Sequence, residues 1–264
     1  MNHPWRGQWA LVTGASAGIG LALAEELAEG GAHLVVTARR GERLDELAIR
    51  LRAKHSVSVE TIVADLEDTA GRERIFAFTE ERGIAVDVLV NNAGFGVYGE
   101  FRTSNIERHL AMVEVNCAAV VHLTRLYLPA MIERRRGAIL ILASTAAYQA
   151  VPYISAYAAT KAFDLLFAEG LAEEVGRYGV RVCALCPGST ESEFARVAGA
   201  PGQHGIRIET SDQVARVGLR ALAGGSHSVV SGFINRMNVE LQRLAPRRLV
   251  TAAAERIFRP KHLR

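Results

Sequence analysis

The stretch Thr13-Gly14-Ala15-Ser16-Ala17-Gly18-Ile19-Gly20 stands between a short apolar run, Trp9 to Thr13, and an amphipathic run that starts at Gly18. Glycines at this spacing allow a tight turn and a close approach of the backbone to a bound group. The start of the following helix offers free N–H groups and a partial positive charge, which favour a phosphate. A purely structural turn is the alternative, but the position between a strand and a helix favours a nucleotide-binding loop. The residues predicted to bind there are Gly14, Ser16, Ala17, Gly18, Ile19 and Gly20.

Outward from this loop, short apolar runs alternate with longer amphipathic ones. The predicted strands are Trp9 to Thr13, His33 to Thr37, Val57 to Val63, Val86 to Val90, Ala138 to Ala143, Val180 to Cys186 and a last one near Ser228 to Ser231. The predicted helices are 18–30, 41–54, 68–81, 105–133 and 155–178. This order predicts an α/β fold, a doubly wound, Rossmann-like parallel sheet of seven strands. We expect one domain, with 1–232 as its nucleotide-binding and catalytic part and 233–264 as a helical extension.

The end of the second predicted strand indicates which cofactor the loop binds. A site that prefers NAD places an Asp or Glu there for the ribose hydroxyl, but this chain has Ala38-Arg39-Arg40. A guanidinium group binds a 2′-phosphate through charge-assisted hydrogen bonds, whereas a carboxylate would repel that phosphate. The alternative is that both arginines are solvated residues at a helix start. The pattern favours NADP(H), bound in part by Arg39 and Arg40.

Tyr157 and Lys161 are four residues apart in a predicted helix, so their side chains share one face. A free phenol has a pKa near 10 and is a poor base at neutral pH. A positive charge about 5 Å away stabilises the phenolate by roughly 3 kcal/mol at an effective dielectric constant of about 20. That is most of the roughly 4 kcal/mol needed to bring the pKa to about 7. We therefore expect Tyr157 to transfer a proton, with a surface pair as the weaker alternative.

These motifs, in this order, resemble the short-chain dehydrogenase/reductase (SDR) family, and within it an uncharacterised bacterial group that prefers NADP. The resemblance runs from Thr13 to Ser192. It is carried by the glycine loop, Asp65-Leu66, Asn91-Asn92-Ala93-Gly94, Asn116, Ser144, the Tyr157/Lys161 pair and Pro187-Gly188. The chain departs from the family pattern in three places, where Ser192 replaces the usual Thr, Ala17 replaces a frequent polar residue, and Glu191 adds a negative charge.

The resemblance implies a role for each matching residue. Tyr157 is the general acid/base, Lys161 lowers its pKa and binds the nicotinamide ribose, and Ser144 hydrogen-bonds the substrate oxygen. The backbone carbonyl of Asn116 holds a water that links Lys161 to solvent; a satisfied core amide is the alternative. The implied cofactor contacts, besides the loop, the arginines, Tyr157 and Lys161, are Asp65, Leu66, Asn92, Ala93, Gly94, Pro187, Gly188, Thr190 and Ser192. Asp65 has the alternative of a helix cap, in competition with Asp68.

Composition narrows the remaining possibilities. A net charge of +3 over 264 residues gives no reason to expect nucleic acid as a partner. The three cysteines, Cys117, Cys183 and Cys186, are predicted core thiols; no second pair completes a zinc site, and no metal is expected. No signal peptide or membrane-spanning segment is evident, which favours a cytoplasmic protein.

Two regions predict further contacts. The helix around Ile106 to Ile132 is apolar on too many sides for a solvent-facing helix, so we expect a homodimer or homotetramer that pairs it and the Tyr157 helix with their copies. From Phe233 to Arg264 the chain has eight basic and two acidic residues, a net charge of +6. There the stripe Phe233, Met237, Leu241 and Leu244 is predicted to pack on its own domain or across a dimer. The alternative is a basic surface for acidic lipid headgroups or an acyl carrier.

The sequence thus predicts an NADP(H)-dependent oxidoreductase that moves a hydride between nicotinamide and a small carbonyl or alcohol substrate. A non-catalytic NADP(H)-sensing or scaffold protein on the same fold is the alternative. The predicted substrate loop, Ser189 to Ile208, contains Phe194, Val197 and Ile206, a weak indication of an apolar carbonyl. The sequence does not specify the substrate, the direction of the reaction, the number of subunits or the role of the basic helices.

Overall fold

A computed structural model, which describes residues 3–200, 208–260 and 263, contains a seven-stranded sheet in the order β3-β2-β1-β4-β5-β6-β7. Every neighbouring pair of strands is parallel. The strands are β1 Trp9–Thr13, β2 His33–Ala38, β3 Val59–Val63, β4 Val86–Asn91, β5 Gly137–Leu142, β6 Val180–Cys186 and β7 Ser228–Val230. The predicted doubly wound parallel sheet is confirmed.

Helices connect the strands and cover both faces of the sheet. They are α1 Gly18–Glu29, α2 Gly41–His55, α3 Thr69–Glu81, α4 Ile106–Val113, α5 Ala119–Glu133, α6 Ser155–Val175, α7 Phe194–Ala198, α8 Ser211–Ala223, α9 Phe233–Gln242 and α10 Arg247–Phe258. Successive residues of a strand point to opposite faces. Val12 accordingly lies in a core with α1, α2 and α8, and Leu11 lies in a second core with α3, α5 and α6.

Most predicted elements are present with ends that differ by a few residues, and the differences have identifiable causes. The predicted helix 105–133 is interrupted by a π-helical turn at Glu114–Ala118, which separates α4 from α5. The predicted helix 155–178 ends as an α-helix at Val175 and continues as a 3-10 turn. α8 was not predicted, although Thr210 and Gln213 form a capping box at its start.

By length and apolar composition, Ile106–Glu133 is the one helix in the described ranges that would suffice to cross a membrane. In this fold it is a layer of the domain instead. Met112, Leu123 and Met131 are fully buried in the protein core. Leu110 and Val113 are exposed, so part of the predicted uncovered apolar face is present.

The C-terminal helices do not pack on the domain through the apolar stripe, which was one of the two predicted arrangements. α9 buries Val239 and α10 buries Ala254, while Phe233, Leu241 and Leu244 are exposed. The prediction that the stripe packs on its own domain is therefore wrong, because α9 turns its opposite side, which carries Val239, toward the domain. Ile206, Lys261 and Arg264, which the sequence analysis also considered, lie outside the described residues.

Candidate active site

The strand order reverses between β1 and β4, and a cavity opens beyond the carboxyl ends of these strands. Such reversal points are where sheets of this kind bind ligands. Most residues predicted to bind the cofactor line this cavity: Gly14, Ser16, Ala17, Gly18, Ile19, Gly20, Arg39, Arg40, Asp65, Leu66, Asn92, Ala93, Gly94 and Ser192. Tyr157, Lys161, Pro187, Gly188 and Thr190 are outside its lining.

The loop after β1 has the geometry of a phosphate cradle. Gly14 has a φ of +67°, and a Cβ there would lie 2.8 Å from Asn92 Nδ2. A Cβ on Gly20 would lie 2.4 Å from the Gly14 carbonyl oxygen, so the backbone segments touch directly. No side chain caps the N-terminus of α1. The free N–H groups of that end therefore border the cavity and fit a pyrophosphate.

Thr13 and Asn92 hold the two strand ends together. Thr13 Oγ1 accepts hydrogen bonds from the Asn92 and Ala93 N–H groups at 2.9 and 3.0 Å. Asn92 Nδ2 donates to the Thr13 carbonyl oxygen at 2.7 Å. The Asn92 amide therefore fixes the shape of the cavity floor as well as lining it.

Arg39 and Arg40 border the cavity at the end of β2. Arg40 donates from Nε and Nη2 to Ser16 Oγ at 3.2 and 3.0 Å. Arg39 Nη1 lies 3.8 Å from Asp65 Oδ2. Asp68, and not Asp65, caps α3 by accepting from the Ala70 N–H group. Two guanidinium groups thus stand at one end of the cavity, which fits an additional phosphate.

A carboxylate that the sequence analysis did not single out joins these arginines. Glu193 accepts hydrogen bonds from Arg40 at 2.7 Å, Arg43 at 3.3 Å and Arg196 at 2.7 Å. The hydrogen bond from Arg40, supported by that from Arg43, lowers the pKa of Glu193 to about 2. Arg40 and Glu193 are 153 positions apart, so no local pattern predicts the contact.

Tyr157, Ser144 and Lys161 come together beside the cavity. Tyr157 and Lys161 are buried on successive turns of α6. Ser144, just after β5, is within hydrogen-bonding reach of the Tyr157 phenol. The ring of Phe194, which lines the cavity, lies 5.0 Å from the Tyr157 ring. The predicted proton-transfer group therefore adjoins the predicted cofactor site.

Lys161 has a buried partner that was not predicted. Its Nζ donates to Asp164 Oδ2 at 2.9 Å and to the Leu142 carbonyl oxygen at 2.6 Å. Asp164 is fully buried, and its Oδ1 has no hydrogen-bond partner among the residues that the structure describes. The spacing of three residues along one helix is the signal that could have identified this pair.

The surroundings of Tyr157 shift its pKa in opposite directions. Burial raises the pKa of the phenol above its ordinary value and Asp164 adds to this, while Lys161 and Ser144 oppose it. Burial lowers the pKa of Lys161, but Asp164 and Tyr157 outweigh that effect, so it lies above its ordinary value. The expectation that Lys161 supplies most of a downward shift at Tyr157 is wrong, because Asp164 offsets part of its charge and burial opposes the remainder.

Asn116 lies in the π-helical turn and is fully buried. Its Oδ1 accepts from the Phe95 N–H group at 3.1 Å, and its Nδ2 donates to Phe95 O and Thr160 Oγ1, both at 3.0 Å. The side chain is thus a satisfied core amide that ties the loop after β4 to α6. The role of its backbone carbonyl in a proton path stays a prediction.

In the segment after β6, Pro187, Gly188 and Thr190 lie outside the cavity lining, and their contacts with a nicotinamide stay a prediction. The Pro187 carbonyl oxygen accepts from the Thr145 N–H group at 2.9 Å. A Cβ on Gly188 would lie 2.4 Å from Asn235 Nδ2, so this glycine packs against α9. Thr190 Oγ1 donates to the Gly188 carbonyl oxygen at 3.1 Å. Through these contacts, the segment after β6 is held against Thr145 and α9.

The model of a protein family described as short chain dehydrogenase matches residues 8–201. The chain belongs to this family. It is a short-chain dehydrogenase/reductase; the names of its relatives describe reductases and an oxidoreductase, and a similar structure was obtained in complex with NADPH.

One relative of this short-chain dehydrogenase is the very-long-chain 3-oxoacyl-CoA reductase of Bos taurus, 35% identical over 198 residues, 74% of this chain and 63% of the relative. The chain thus spans less than two thirds of that relative. Among solved structures, a short-chain dehydrogenase from Sphingobium yanoikuyae in complex with NADPH is 29% identical, with a TM-score of 0.81 over 90% of this chain and 94% of the other. L-sorbose reductase from Gluconobacter frateurii, complexed with NADPH and L-sorbose, is 29% identical, with a TM-score of 0.78 over 88% of this chain and 98% of the other.

Proposed function

We propose that this dehydrogenase reduces apolar ketones or aldehydes with NADPH, and that Tyr157 is its general acid and base. The observation that carries the proposal is the cluster of Tyr157, Ser144 and Lys161 beside a cavity whose other end has two arginines. A transferable proton, a hydrogen-bond donor for the carbonyl oxygen and a stabilising cation are what carbonyl reduction requires of a protein.

Each group of the cluster has one task in this reaction. The nicotinamide supplies the hydride when it is bound. Tyr157 Oη donates its proton to the carbonyl oxygen as the alcohol forms, and Ser144 Oγ donates a hydrogen bond to the same oxygen. Lys161 stabilises the phenolate that remains until Tyr157 regains a proton.

The preference for NADP(H) is supported by Arg39 and Arg40 at the cavity wall. One charge-assisted contact corresponds to at least about tenfold tighter binding, or roughly 1.4 kcal/mol. The structures from Sphingobium yanoikuyae and Gluconobacter frateurii were both obtained with NADPH.

The apolar substrate class is supported by the surroundings of Tyr157. Val97, Met112 and Tyr157 form a small core cluster, against which Phe95 and Ile154 pack. Phe194 contributes a further apolar ring. The name of the Bos taurus relative, a very-long-chain 3-oxoacyl-CoA reductase, describes an acyl substrate. Long-chain ketones and 3-oxoacyl thioesters therefore come first in a screen.

The test combines that screen with a matched pair of variants. NADPH oxidation is followed by absorbance with short soluble ketones, long-chain ketones and 3-oxoacyl thioesters. For the best substrate, Tyr157→Phe should lower turnover at least about a hundredfold and leave NADPH binding nearly unchanged, because the ring stays and the proton is lost. Tyr153→Phe makes the same change four residues earlier, before α6 begins, and should retain most activity.

Equal turnover by wild type and Tyr157→Phe would disprove the role of Tyr157. A sensor or scaffold, the alternative, would bind NADPH without turning over any carbonyl, and no observation in the structure favours it. A cytoplasmic location and a homo-oligomeric state remain predictions.

A further inference from the structure

The outer face of α9 is apolar and uncovered. Phe233, Met237 and Leu241 recur every four residues and are 77%, 44% and 55% exposed, and Leu244 just beyond the helix is 84% exposed. Val239, on the opposite side, is 3% exposed and faces the domain. Large apolar side chains aligned on a solvent-facing stripe mark an interaction surface. On α10, Leu249 is also exposed.

Positive charge surrounds this stripe, which we call the C-terminal apolar face: Phe233, Ile234, Met237, Leu241, Leu244 and Leu249. Among the residues that the structure describes, α9 carries Arg236, Arg243 directly follows it, and α10 carries Arg247, Arg248 and Arg256. Arg243 pairs with Glu240, while Arg236, Arg247 and Arg248 form no ion pair with a described carboxylate. An apolar stripe with unneutralised arginines beside it is the pattern of helices that lie in a membrane interface.

α10 also adjoins residues that are next in sequence to those packed around Tyr157. Tyr98 Oη donates to the Phe258 carbonyl oxygen at 2.7 Å, and Tyr153 Oη donates to Glu255 Oε1 at 2.8 Å. Tyr98 follows Val97 in the sequence, and Tyr153 precedes Ile154. Val97 and Ile154 both pack with Tyr157. The Tyr98 N–H group donates to the Ala198 carbonyl oxygen of α7 at 3.0 Å. α10 and α7 are therefore linked through Tyr98.

We propose that the C-terminal apolar face binds an anionic lipid bilayer surface and holds the substrate entrance, bordered by α7 and α10, against it. The membrane-binding part of the proposal is supported by the exposed apolar side chains and the arginines alone. The orientation of the entrance rests on the proposed function, since it supposes an apolar substrate that dissolves in the bilayer.

Charge decides between a bilayer and a second copy of the chain as the occupant. A symmetric dimer through this face would place two identical tails together, each with a net charge of +6. Like charges in close contact oppose that pairing. Anionic headgroups neutralise the same arginines, and each arginine near such a surface adds to the attraction.

The test of binding uses the full chain and vesicles of phosphatidylcholine with or without phosphatidylglycerol, separated by flotation. We expect binding to the anionic vesicles, weakened by salt, and little binding to pure phosphatidylcholine. Phe233→Ser/Met237→Ser/Leu241→Ser should reduce binding at least about tenfold. Arg247→Gln/Arg248→Gln should reduce it at least about fivefold. Ile49→Ser, which removes an exposed apolar residue of α2, is the control and should bind normally.

The orientation is tested by hydrogen exchange with and without anionic vesicles. We expect anionic vesicles to slow hydrogen exchange over α9, α10 and α7 and to leave exchange over α2 unchanged. Protection of α9 and α10 alone would overturn the placement of the entrance. Absent vesicle binding would overturn the proposal, as would a triple variant that binds normally. If the triple variant changes the oligomer mass in light scattering but binds vesicles normally, the C-terminal apolar face binds a second copy of the chain instead. None of these measurements needs turnover, so they remain valid if the proposed reaction is wrong.

Discussion

Asp164 is a fully buried carboxylate whose charged partner is Lys161. Removing one partner of a buried ion pair usually destabilises a protein, but here the partner retains the Leu142 carbonyl oxygen. The negative charge opposes the stabilising effect of Lys161 on a Tyr157 phenolate. Asp164 therefore influences when the proton-transfer group ionises, although it touches no substrate.

Asp164→Asn should shift the pH dependence of alcohol oxidation. Loss of the negative charge lowers the pKa of Tyr157, so more phenolate is present at a given pH. With saturating NADP⁺, the acidic limb of the kcat/KM profile should move to lower pH, and turnover below pH 7 should rise several-fold. Glu173→Gln, an exposed change of the same charge on α6, should leave the profile unmoved. A limb that stays in place in Asp164→Asn would show that this carboxylate does not act on Tyr157.

Glu193 occupies the arginine cluster that we assign to the cofactor phosphate. A phosphate that binds Arg40 has to share it with this carboxylate. Glu193→Gln should therefore tighten NADPH binding roughly two- to fivefold, the scale of a surface ion pair, and leave NADH binding unchanged. Titration of the Kd for each cofactor measures this, with Glu191→Gln on the same loop as control. Equal tightening of both cofactors would contradict competition for the phosphate.

At the scale of single residues, prediction from the sequence succeeds where chemistry depends on local spacing. The glycine loop, the two arginines and the Tyr157/Lys161 pair are each contained within a few residues; the structure places the loop and the arginines around one cavity and the pair beside it. Glu193 depends on a contact between distant segments, which spacing does not encode. The direction of the Tyr157 pKa depends on burial, which a pattern of residue types predicts only coarsely.

At the scale of elements, the alternation of apolar and amphipathic runs was sufficient to predict the strands and most helices. The π-helical turn at Glu114–Ala118 was not predictable in this way, because it depends on how Asn116 reaches Phe95 and Thr160. α9 shows a second limit. Its stripe was evident in the sequence, but which side faces the domain depends on the packing of Val239.

The apolar faces of α4, α5 and α6 predict an assembly distinct from the C-terminal apolar face. Leu110, Val113 and Val121 are exposed on the first two helices, and Phe163 and Leu166 on the third, with Leu166 at 69%. Leu166→Glu should convert the predicted dimer or tetramer to smaller species, because burying a charge there costs more than the apolar contact contributes. Light scattering after gel filtration measures the mass. Leu241→Glu is the control, and an unchanged mass for Leu166→Glu would refute this interface.

At the scale of the whole molecule, a parallel sheet brings the carboxyl ends of β1, β2, β4 and β5 to one edge. This explains why residues as far apart as Gly14 and Ser144 lie at the same edge of the sheet. A ligand that spans this edge contacts several elements at once, so its binding stabilises the folded chain as a unit. Cofactor choice is therefore measurable as global stability, without any knowledge of the substrate.

NADPH should raise the thermal unfolding midpoint of the chain more than NADH does at the same saturating concentration. A tenfold ratio of Kd values corresponds to about 1.4 kcal/mol of additional stabilisation. For a chain of this size that amounts to about 3–5 °C in Tm. Arg39→Ala/Arg40→Ala should remove the difference because it removes the cations that distinguish the phosphate. Arg74→Ala, an exposed arginine of α3 away from the cavity, should preserve it. Identical midpoints with NADPH and NADH in the wild type would mean that the arginines do not recognise the 2′-phosphate, and the proposed cofactor preference would be wrong.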